Sequence, residues 1–327
     1  MKIGSILALE VVSIAAVAQD NSVLLTIREH GKWGFIDKSA NVRITPQFED
    51  AFWINNTFDG ELEPVEQNGK WGFINRDGQW AIEPTFFLAT KFEDGLAAVE
   101  TDMGWTFINS SGQYRRDPDI QNVTGGGEKY WAVVRQGEDT WVYLDHSGTH
   151  FVPIHQNIPQ GFSEGLLAVE ENGLWGYVDE SGRSVIQPTF DEASQFSESL
   201  AAVRIGKKWG YIDKTGTMLV EPQFGWAYGF NEGLAAVEIT PNKYGFIDAK
   251  GRVVIPARFD EGGYFSESLA AVTIDHKLGY IDHNGAVIIP AQFSQADAFT
   301  DGVARVMFQN SKLAYIDRLG RLIWREK

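Results

Sequence analysis

The sequence lacks cysteine altogether and has few cationic residues, with 28 lysines and arginines against 44 aspartates and glutamates in 327 residues. Without cysteine, the chain can form no disulfide framework, thiol nucleophile or cysteine-bound zinc site. The net charge of −16 repels phosphate backbones and anionic lipid surfaces, so nucleic acid is a disfavoured partner. Beyond the N-terminal region no run of about 18 apolar residues occurs, and we therefore expect no integral membrane segment there.

Common catalytic motifs are also missing. The sequence contains no G-x-S-x-G elbow, no phosphate-binding G-x-x-x-x-G-K-[ST] loop, no H-E-x-x-H and no EF-hand spacing. Six histidines are present, and His146 and His150 flank a predicted hairpin turn, where histidines are usually solvated. We therefore predict a protein that is not an enzyme, with no catalytic residues, no metal site and no cofactor.

The N-terminal residues resemble a signal peptide. Lys2 precedes an apolar stretch that ends in Ala16-Val17-Ala18, the small-x-small pattern that signal peptidase recognises. Glu10, in the middle of that stretch, argues against export because a carboxylate is costly to place in lipid. We predict a signal peptide over residues 1–18, a single repetitive domain over residues 19–327, and an exported protein, with cytoplasmic residence as the alternative.

What the sequence has in abundance is aromatic residues, 21 Phe, 11 Trp and 10 Tyr, and many of them recur at a fixed period. A pentad of the form aromatic-Gly-aromatic-Ile-Asp occurs in nine copies, spaced by 34 to 38 residues, some of them degenerate. Its first positions are Trp33, Trp71, Trp105, Trp141, Trp175, Trp209, Tyr244, Leu278 and Leu313. A period in this range is typical of solenoids, propellers and other repeat arrays.

Each repeat predicts a small three-stranded meander. A Leu-Ala-Ala-Val run (strand c) and the pentad (strand a) are short and rich in β-branched or aromatic residues, and polar turns separate them. The pentad Asp then begins an Asp-x-x-Gly turn into strand b, which we expect to stop at a proline. The proline shifts between copies, whereas a phenylalanine always lies eight residues after the turn glycine, as from Gly216 to Phe224. We infer that this phenylalanine is a packing anchor, followed by a crossover that carries a second aromatic residue.

The fold class is therefore all-β, a tandem array of about nine meander repeats of roughly 34 residues. Strand c of the first copy begins near Val23 and strand b of the last ends near Trp324, so the nine units are complete and leave no strand to share between the chain ends. This favours an open or superhelical solenoid, with a propeller-like ring as the alternative.

The pentads, among them Trp33-Gly34-Phe35-Ile36-Asp37 and Trp209-Gly210-Tyr211-Ile212-Asp213, resemble the bacterial WG (KWG) repeat family over residues 21 to 327. The resemblance implies a binding or scaffold array, often on an exported protein, and it carries no catalytic residue over to this chain. Copies three and four depart from the pattern, with Arg115-Arg116-Asp117 and Gly125-Gly126-Gly127 where other copies have the Pro-x-Phe crossover. Those copies are candidates for caps, insertions or sites.

Candidate binding residues are aromatics that replace polar residues at variable loop positions: Phe52, Trp53, Trp226, Tyr228 and Tyr264. Exposed aromatic rings stack on sugars or anchor peptides, although local repacking of the loop is the alternative interpretation. Acids also recur at one repeat position, Glu164, Glu198, Glu232 and Glu267, where we expect a solvated row that attracts cations or basic partners only weakly.

Two functions follow from these patterns. The favoured one is a non-enzymatic scaffold that binds a protein or carbohydrate through its repeated surface. The alternative is a hydrolase or lyase built in a propeller-like ring, with acids and histidines such as His146 and His150 meeting in an axial pocket.

Overall fold

The structure is a computed structural model, and it describes residues 23–51, 57–58, 60–93, 95–115, 123–125, 130–136, 140–145, 151–154, 161–309 and 312–327. These residues contain no helix and form nine separate antiparallel sheets of three or four strands. The sheets follow one another along the chain, and we call them blades 1 to 9. The all-β tandem array predicted from the period is confirmed. The signal peptide predicted over residues 1–18 lies outside the described residues.

Every blade contains strands c, a and b, in that order along the chain. The c strands are β1 (Leu24–Glu29), β6 (Leu62–Gln67), β10 (Leu96–Thr101), β14 (Tyr130–Gln136), β17 (Leu166–Glu171), β21 (Leu200–Ile205), β24 (Leu234–Thr240), β28 (Leu269–Ile274) and β32 (Val303–Met307). The a strands are β2 (Lys32–Ile36), β7 (Lys70–Asn75), β11 (Gly104–Asn109), β15 (Thr140–Asp145), β18 (Leu174–Asp179), β22 (Lys208–Asp213), β25 (Lys243–Asp248), β29 (Lys277–Ile281) and β33 (Leu313–Asp317). The b strands are β3 (Val42–Phe48), β8 (Trp80–Phe86), β12 (Tyr114–Arg115), β16 (Phe151–Ile154), β19 (Ser184–Phe190), β23 (Met218–Phe224), β26 (Val253–Phe259), β30 (Val287–Phe293) and β34 (Leu322–Arg325).

The predicted three-stranded unit lacks one strand, because the crossover adds a fourth, mostly short strand beside strand c. These crossover strands are β4 (Asp50–Ala51), β5 (Thr57–Phe58), β9 (Leu88–Ala89), β13 (Val123–Gly125), β20 (Glu192–Ala193), β27 (Glu261–Ser266) and β31 (Gln295–Ala296). Their backbone groups continue the ladder of strand c, as where Ala193 pairs with Val203. Blade 7 makes the same connection through a single bridge between Ala227 and Val237.

Strand b does not stop at its proline, contrary to the prediction. In blade 6 it runs through Pro222 to Phe224, and the register shifts between the Trp209–Phe224 and Tyr211–Val220 pairs. The proline therefore lies in a β-bulge, where no ladder hydrogen bond is required of it. The bulge also explains the pentad glycine, since a Cβ on Gly72 would lie 2.6 Å from the carbonyl oxygen of Ile82 on strand b.

The core lies between blades, and blade 6 shows that both faces of strand a contribute to it. The aromatic at the third pentad position packs on the second aromatic of the following crossover, with centroids 4.8 Å apart for Tyr211 and Phe230. The Tyr211 face packs against blade 7 and the Ile212 face against blade 5. The eight-residue anchor is buried as predicted, with Phe224 only 4% exposed.

The array closes into a ring, so the open solenoid that we favoured is wrong and the propeller-like ring is right. The Tyr315 hydroxyl of blade 9 donates to the backbone carbonyl of Thr26 in blade 1 at 2.8 Å, across 289 residues. Leu25 and Ile27 of blade 1 pack with Val303 of blade 9 in one buried cluster. Closure needs only two complementary apolar faces, and no strand has to be shared between the chain ends.

The ring has two faces that carry different turns. The a-to-b turns lie on one face, which we call the Asp-turn face, because the pentad carboxylate accepts the backbone amides two and four residues ahead: Asp213 Oδ1 accepts from Thr215 and Thr217 at 2.9 and 3.0 Å. This confirms the pentad Asp as a turn former. The c-to-a turns, such as that at Gly206 and Lys207, lie on the opposite face, which we call the hairpin face.

The recurrent glutamates on the Asp-turn face reach solvent as predicted, with Glu198 and Glu232 exposed and Glu164 and Glu267 half-buried, but they also bond to neighbouring blades, which was not predicted. Each carboxylate accepts a backbone amide of the next blade: Glu164 from Ser199, Glu198 from Gly233, Glu232 from Ser268 and Glu267 from Gly302, at 2.9 to 3.2 Å. Lys214 adds an ion pair with Glu164 at 2.8 Å. These carboxylates are inter-blade hydrogen-bond acceptors, and their function is structural.

Candidate functional site

A cavity of about 720 Å³ opens where the crossover strands of blades 1, 8 and 9 meet Tyr228 of blade 7. Since residues of four blades converge on it, the cavity lies on the inner side of the ring. Its wall includes Glu261, Tyr264 and Asp297, and Arg305 is paired with Asp297 at 2.7 Å. The centre of the ring is therefore partly polar, with opposite charges already matched on one side.

A second cavity, of about 380 Å³, borders the first, and four of its nine lining residues are aromatic. Trp175, Trp209, Trp226 and Tyr228 line it together with Glu192, and Tyr228 is shared by both cavities. Trp226 is 42% exposed, although tryptophan is one of the most apolar side chains available. An exposed indole beside a cavity is available to a ligand.

The aromatic side chains form a continuous row from blade 6 to blade 7. Ring centroids are 5.2 Å apart between Trp209 and Trp226, 6.3 Å between Trp226 and Tyr228, and 6.2 Å between Tyr228 and Tyr244. The rings are mutually tilted, as is favourable for neighbouring π systems. We call these four residues the aromatic row.

The repeat explains why this row lies near the hairpin face. Trp209 and Tyr244 occupy the first pentad position, next to the c-to-a turn, whereas Trp226 lies two residues after the anchor Phe224. Other copies hold Asp50, Leu88, Glu192, Glu261 and Gln295 at that crossover position. Trp226 thus continues a line of buried and half-buried repeat aromatics to the surface.

Three carboxylates surround the row. Glu192 lines the aromatic cavity, and Glu238 lies over Gly225, the residue before Trp226. The Tyr228 hydroxyl donates to Glu261 Oε1 at 3.4 Å. Burial, together with the negative charge of Glu261, raises the pKa of Tyr228 to about 12.

Among the residues that the structure describes, a cation neutralises only one of these carboxylates. Arg204 pairs with Glu192 at 2.7 Å, and the nearby Lys243 pairs with Asp260 instead, at 2.6 Å. Within the described part of the chain, Glu238 and Glu261 have no lysine or arginine within ion-pair distance; Glu238 accepts the backbone amide of Asn242. The row therefore lies in a field of net negative charge.

Of the five predicted binding residues, the structure places three near the ring's interior. Trp226 and Tyr228 belong to the aromatic row, and Tyr264, 53% exposed, lines the larger cavity beside them. Phe52 and Trp53 lie outside the described residues, as do His146 and His150 of the alternative enzyme hypothesis. The structure thus brings half-buried and exposed aromatics of neighbouring blades together at one place.

Sequence reasoning did not identify the carboxylates beside the row. Glu192, Glu238 and Glu261 come from three different blades, and no local motif connects them. Alignment of the repeats could have found two of them, since Glu192 and Glu261 occupy the crossover position that Trp226 fills in blade 7. In the residues that the structure describes, no group of three or more histidines or acids could hold a metal ion, and no helix is long and apolar enough to span a membrane.

The family model and one solved structure agree with the architecture. The model of the WG-containing repeat matches residues 33–71, 71–102, 175–209, 209–240, 244–277 and 279–312. No curated protein matches the sequence significantly. A crystal structure of a eukaryotic initiation factor superposes with a TM-score of 0.64 at 13% identity, covering 93% of this chain and 96% of that one. BamB from Moraxella catarrhalis superposes with a TM-score of 0.45 at 11% identity, covering 78% and 93% of the two chains.

Proposed function

The chain belongs to the WG-containing repeat family, and we propose that it is a non-enzymatic scaffold that binds a protein or glycan ligand on the aromatic row and the adjoining cavities. The observation that carries this proposal is the exposure of Trp226 within the aromatic row, next to Tyr228, where the two cavities meet. The closed ring of blades holds these aromatic side chains in place before a ligand arrives, and this lowers the entropic cost of binding.

The packing supports a binding role for this surface. Trp209 is only 5% exposed and already lies in the core between blades 6 and 7, so the core there needs no further exposed indole. Trp226 nevertheless packs on it and leaves 42% of its own surface open. Aromatic anchors that lie partly open beside a concave surface are typical of binding hot spots.

A binding experiment with matched variants tests the proposal. Full-length protein is applied to peptide arrays and glycan arrays in parallel, as wild type and as the double variant Trp226→Gln, Tyr228→Ser. Both replacements occur naturally at the same repeat positions, as Gln295 and Ser194, so the variant should keep the fold. We expect the double variant to lose most of the binding to whichever array is positive.

The control is Leu88→Gln, which removes an exposed apolar side chain from the same repeat position in blade 3. That variant should bind like wild type. Equal binding by wild type and the double variant, or no binding on either array, would contradict the proposed function.

A further inference from the structure

We infer, on the basis of the proposed function, that the ligand of the aromatic row is a basic segment of a partner protein, whose lysine or arginine side chain lies on the exposed rings beside unneutralised carboxylates. This names the ligand class more closely than a protein or glycan. It follows from three features of the site: the accessible ring faces, the charge around them and the size of the cavity.

The rings supply the first part of a cation site. Ammonium and guanidinium groups are attracted to the faces of indole and phenol rings, most strongly to tryptophan. Trp226 is the most accessible member of the row, and the half-buried Tyr228 follows at a centroid distance of 6.3 Å. The two rings are steeply inclined to each other, with an interplanar angle of 68°.

The carboxylates supply the second part. Glu261 is hydrogen-bonded to the Tyr228 hydroxyl, and Glu238 lies over the backbone next to Trp226. Burial is the main cause of the raised pKa values of Tyr228 and Tyr244, and the negative charge of Glu261 adds to it at both tyrosines, with Glu238 also contributing at Tyr244. Those carboxylate charges, and not the burial, favour an incoming positive charge. A cation bound here would pair with Glu238 and Glu261, as Arg204 already pairs with Glu192.

A neutral sugar would use the rings but not the charge. Carboxylates accept hydrogen bonds from sugar hydroxyls, yet a neutral ligand leaves both negative charges uncompensated. The chain as a whole carries −16, which speeds the approach of a basic partner and not that of an uncharged one. The aromatic cavity of about 380 Å³ accommodates side chains and does not require a whole domain to enter.

The test uses short peptides so that charge and side chain can be varied separately. Isothermal titration at 0.15 M salt compares full-length protein with the capped peptide Gly-Ser-Lys-Lys-Ser-Gly, with the same peptide acetylated on both lysines, and with chitohexaose and cellohexaose. We expect the lysine peptide to bind at least about tenfold more tightly than its acetylated form, since both charge-assisted and cation–π contacts are lost on acetylation. The two oligosaccharides should bind more weakly than the lysine peptide.

Trp226→Gln separates the site from general electrostatic attraction, because it removes a ring and leaves the net charge unchanged. This substitution should weaken the affinity for the lysine peptide by about two- to thirtyfold, the range expected for one cation–π contact. Glu261→Gln should weaken it several-fold, whereas Glu221→Gln, an equal charge change at an exposed position on strand b, should have little effect. Thermal unfolding of each variant shows whether the fold is intact.

The possible outcomes distinguish failure of the basic-segment inference from failure of the proposed function. In one outcome the oligosaccharides bind, Trp226→Gln abolishes that binding, and the lysine peptide is not bound selectively. This outcome would overturn the basic-segment inference and leave the proposed function standing. Lysine binding that responds equally to Glu221→Gln and Glu261→Gln, and not to Trp226→Gln, would show bulk electrostatics and also overturn the inference. If no probe binds and the arrays above are negative as well, both proposals fail.

Discussion

The Asp-turn face and the hairpin face of the ring differ in how uniform they are. On the Asp-turn face the copies repeat the same bonds, such as the glutamate that reaches the next blade in Glu164, Glu198, Glu232 and Glu267. On the hairpin face the same crossover position holds a tryptophan in blade 7, an acid in blade 8 and a leucine in blade 3. Uniform positions hold neighbouring blades together, and the variable positions are free to differ because no bond that recurs from copy to copy depends on their side chains.

Ring closure extends this uniformity to the chain ends. Lys38 of blade 1 donates to the backbone carbonyl of Asp301 in blade 9 at 2.5 Å, and Lys214 makes the corresponding bond to Glu164 between blades 6 and 5. Asp301 and Glu164 both have positive φ, 53° and 52°. The interface between the first and last blades is therefore built like an internal one.

The comparison between uniform and variable positions can be tested with four substitutions, from the largest expected effect on stability to the smallest.

The first concerns a variable position that lies inside the core. Glu63 is fully buried in strand c of blade 2, where most other copies have alanine, and Lys91 of the next crossover pairs with it at 3.5 Å. Lys91→Met removes the positive partner of a buried carboxylate and should cost about 3–5 kcal/mol. Chemical denaturation measures the loss.

The matched control restores the repeat pattern. Adding Glu63→Ala to Lys91→Met removes both charges, and the double variant should recover most of the stability, because an apolar pair replaces the ion pair. A double variant as unstable as Lys91→Met would mean that the lysine acts through its bond to the Thr57 carbonyl and not through Glu63.

The second substitution changes a uniform position. In Gly72→Ala the new Cβ would meet the strand b backbone at 2.6 Å, and the protein should lose about 1–3 kcal/mol from overpacking. Blade 3 provides the contrast, because it has Thr106 at this position and its described strand b covers only Tyr114–Arg115. Thr106→Gly should therefore cost less than about 1 kcal/mol. Similar losses in thermal unfolding for both variants would argue against the bulge as the cause.

The third substitution tests the Asp turns through pH. The Thr215 hydroxyl, with the backbone amides of Thr217 and Thr215, holds the pKa of the Asp213 carboxyl below its usual value of 3.8. Its contribution to stability is thus present above that value and is lost as the pH falls through the lower folded-state pKa. Asp213→Asn should cost less than about 1 kcal/mol at pH 7, since Asn75 makes the same turn in blade 2.

Denaturation curves at several pH values decide this prediction. The difference between wild type and Asp213→Asn should be constant from neutral pH down to about pH 5 and should shrink below the unfolded-state pKa near 4. A difference that grows as the pH falls would exclude the carboxylate form as the stabilising one.

The smallest expected effect on stability belongs to the hairpin face. Trp226→Gln should change the free energy of unfolding by less than about 1 kcal/mol, because 42% of the residue is exposed. Trp209→Gln, which alters the buried neighbour in the same aromatic row, should cost about 3 kcal/mol or more. Comparable losses in both variants would place Trp226 among the structural residues and would remove the distinction between the two faces.

Much of the repeat was predictable because its determinants are local. The hydrophobic alternation of strand a, the Asp-x-x-Gly turn and the fixed distance to the anchor phenylalanine all lie within about ten residues of one another. The proline was misjudged because a bulge, visible only in the pairing of strands a and b, lets strand b continue past it. Trp226, Tyr228 and Tyr264 stood out as departures from the pattern, yet sequence alone placed neither the cavities nor Glu238 and Glu261 beside them.

By itself the sequence determined that this protein is a succession of small sheets with aromatic cores, since each unit is specified by its own alternation and turns. Only the tertiary structure decided that the succession closes on itself, that its glutamates bond to the next blade, and that rings from two blades and carboxylates from three come together. The physical reason is distance along the chain: these contacts join residues about 35 apart, or 289 apart at closure, and no local preference encodes which faces will meet.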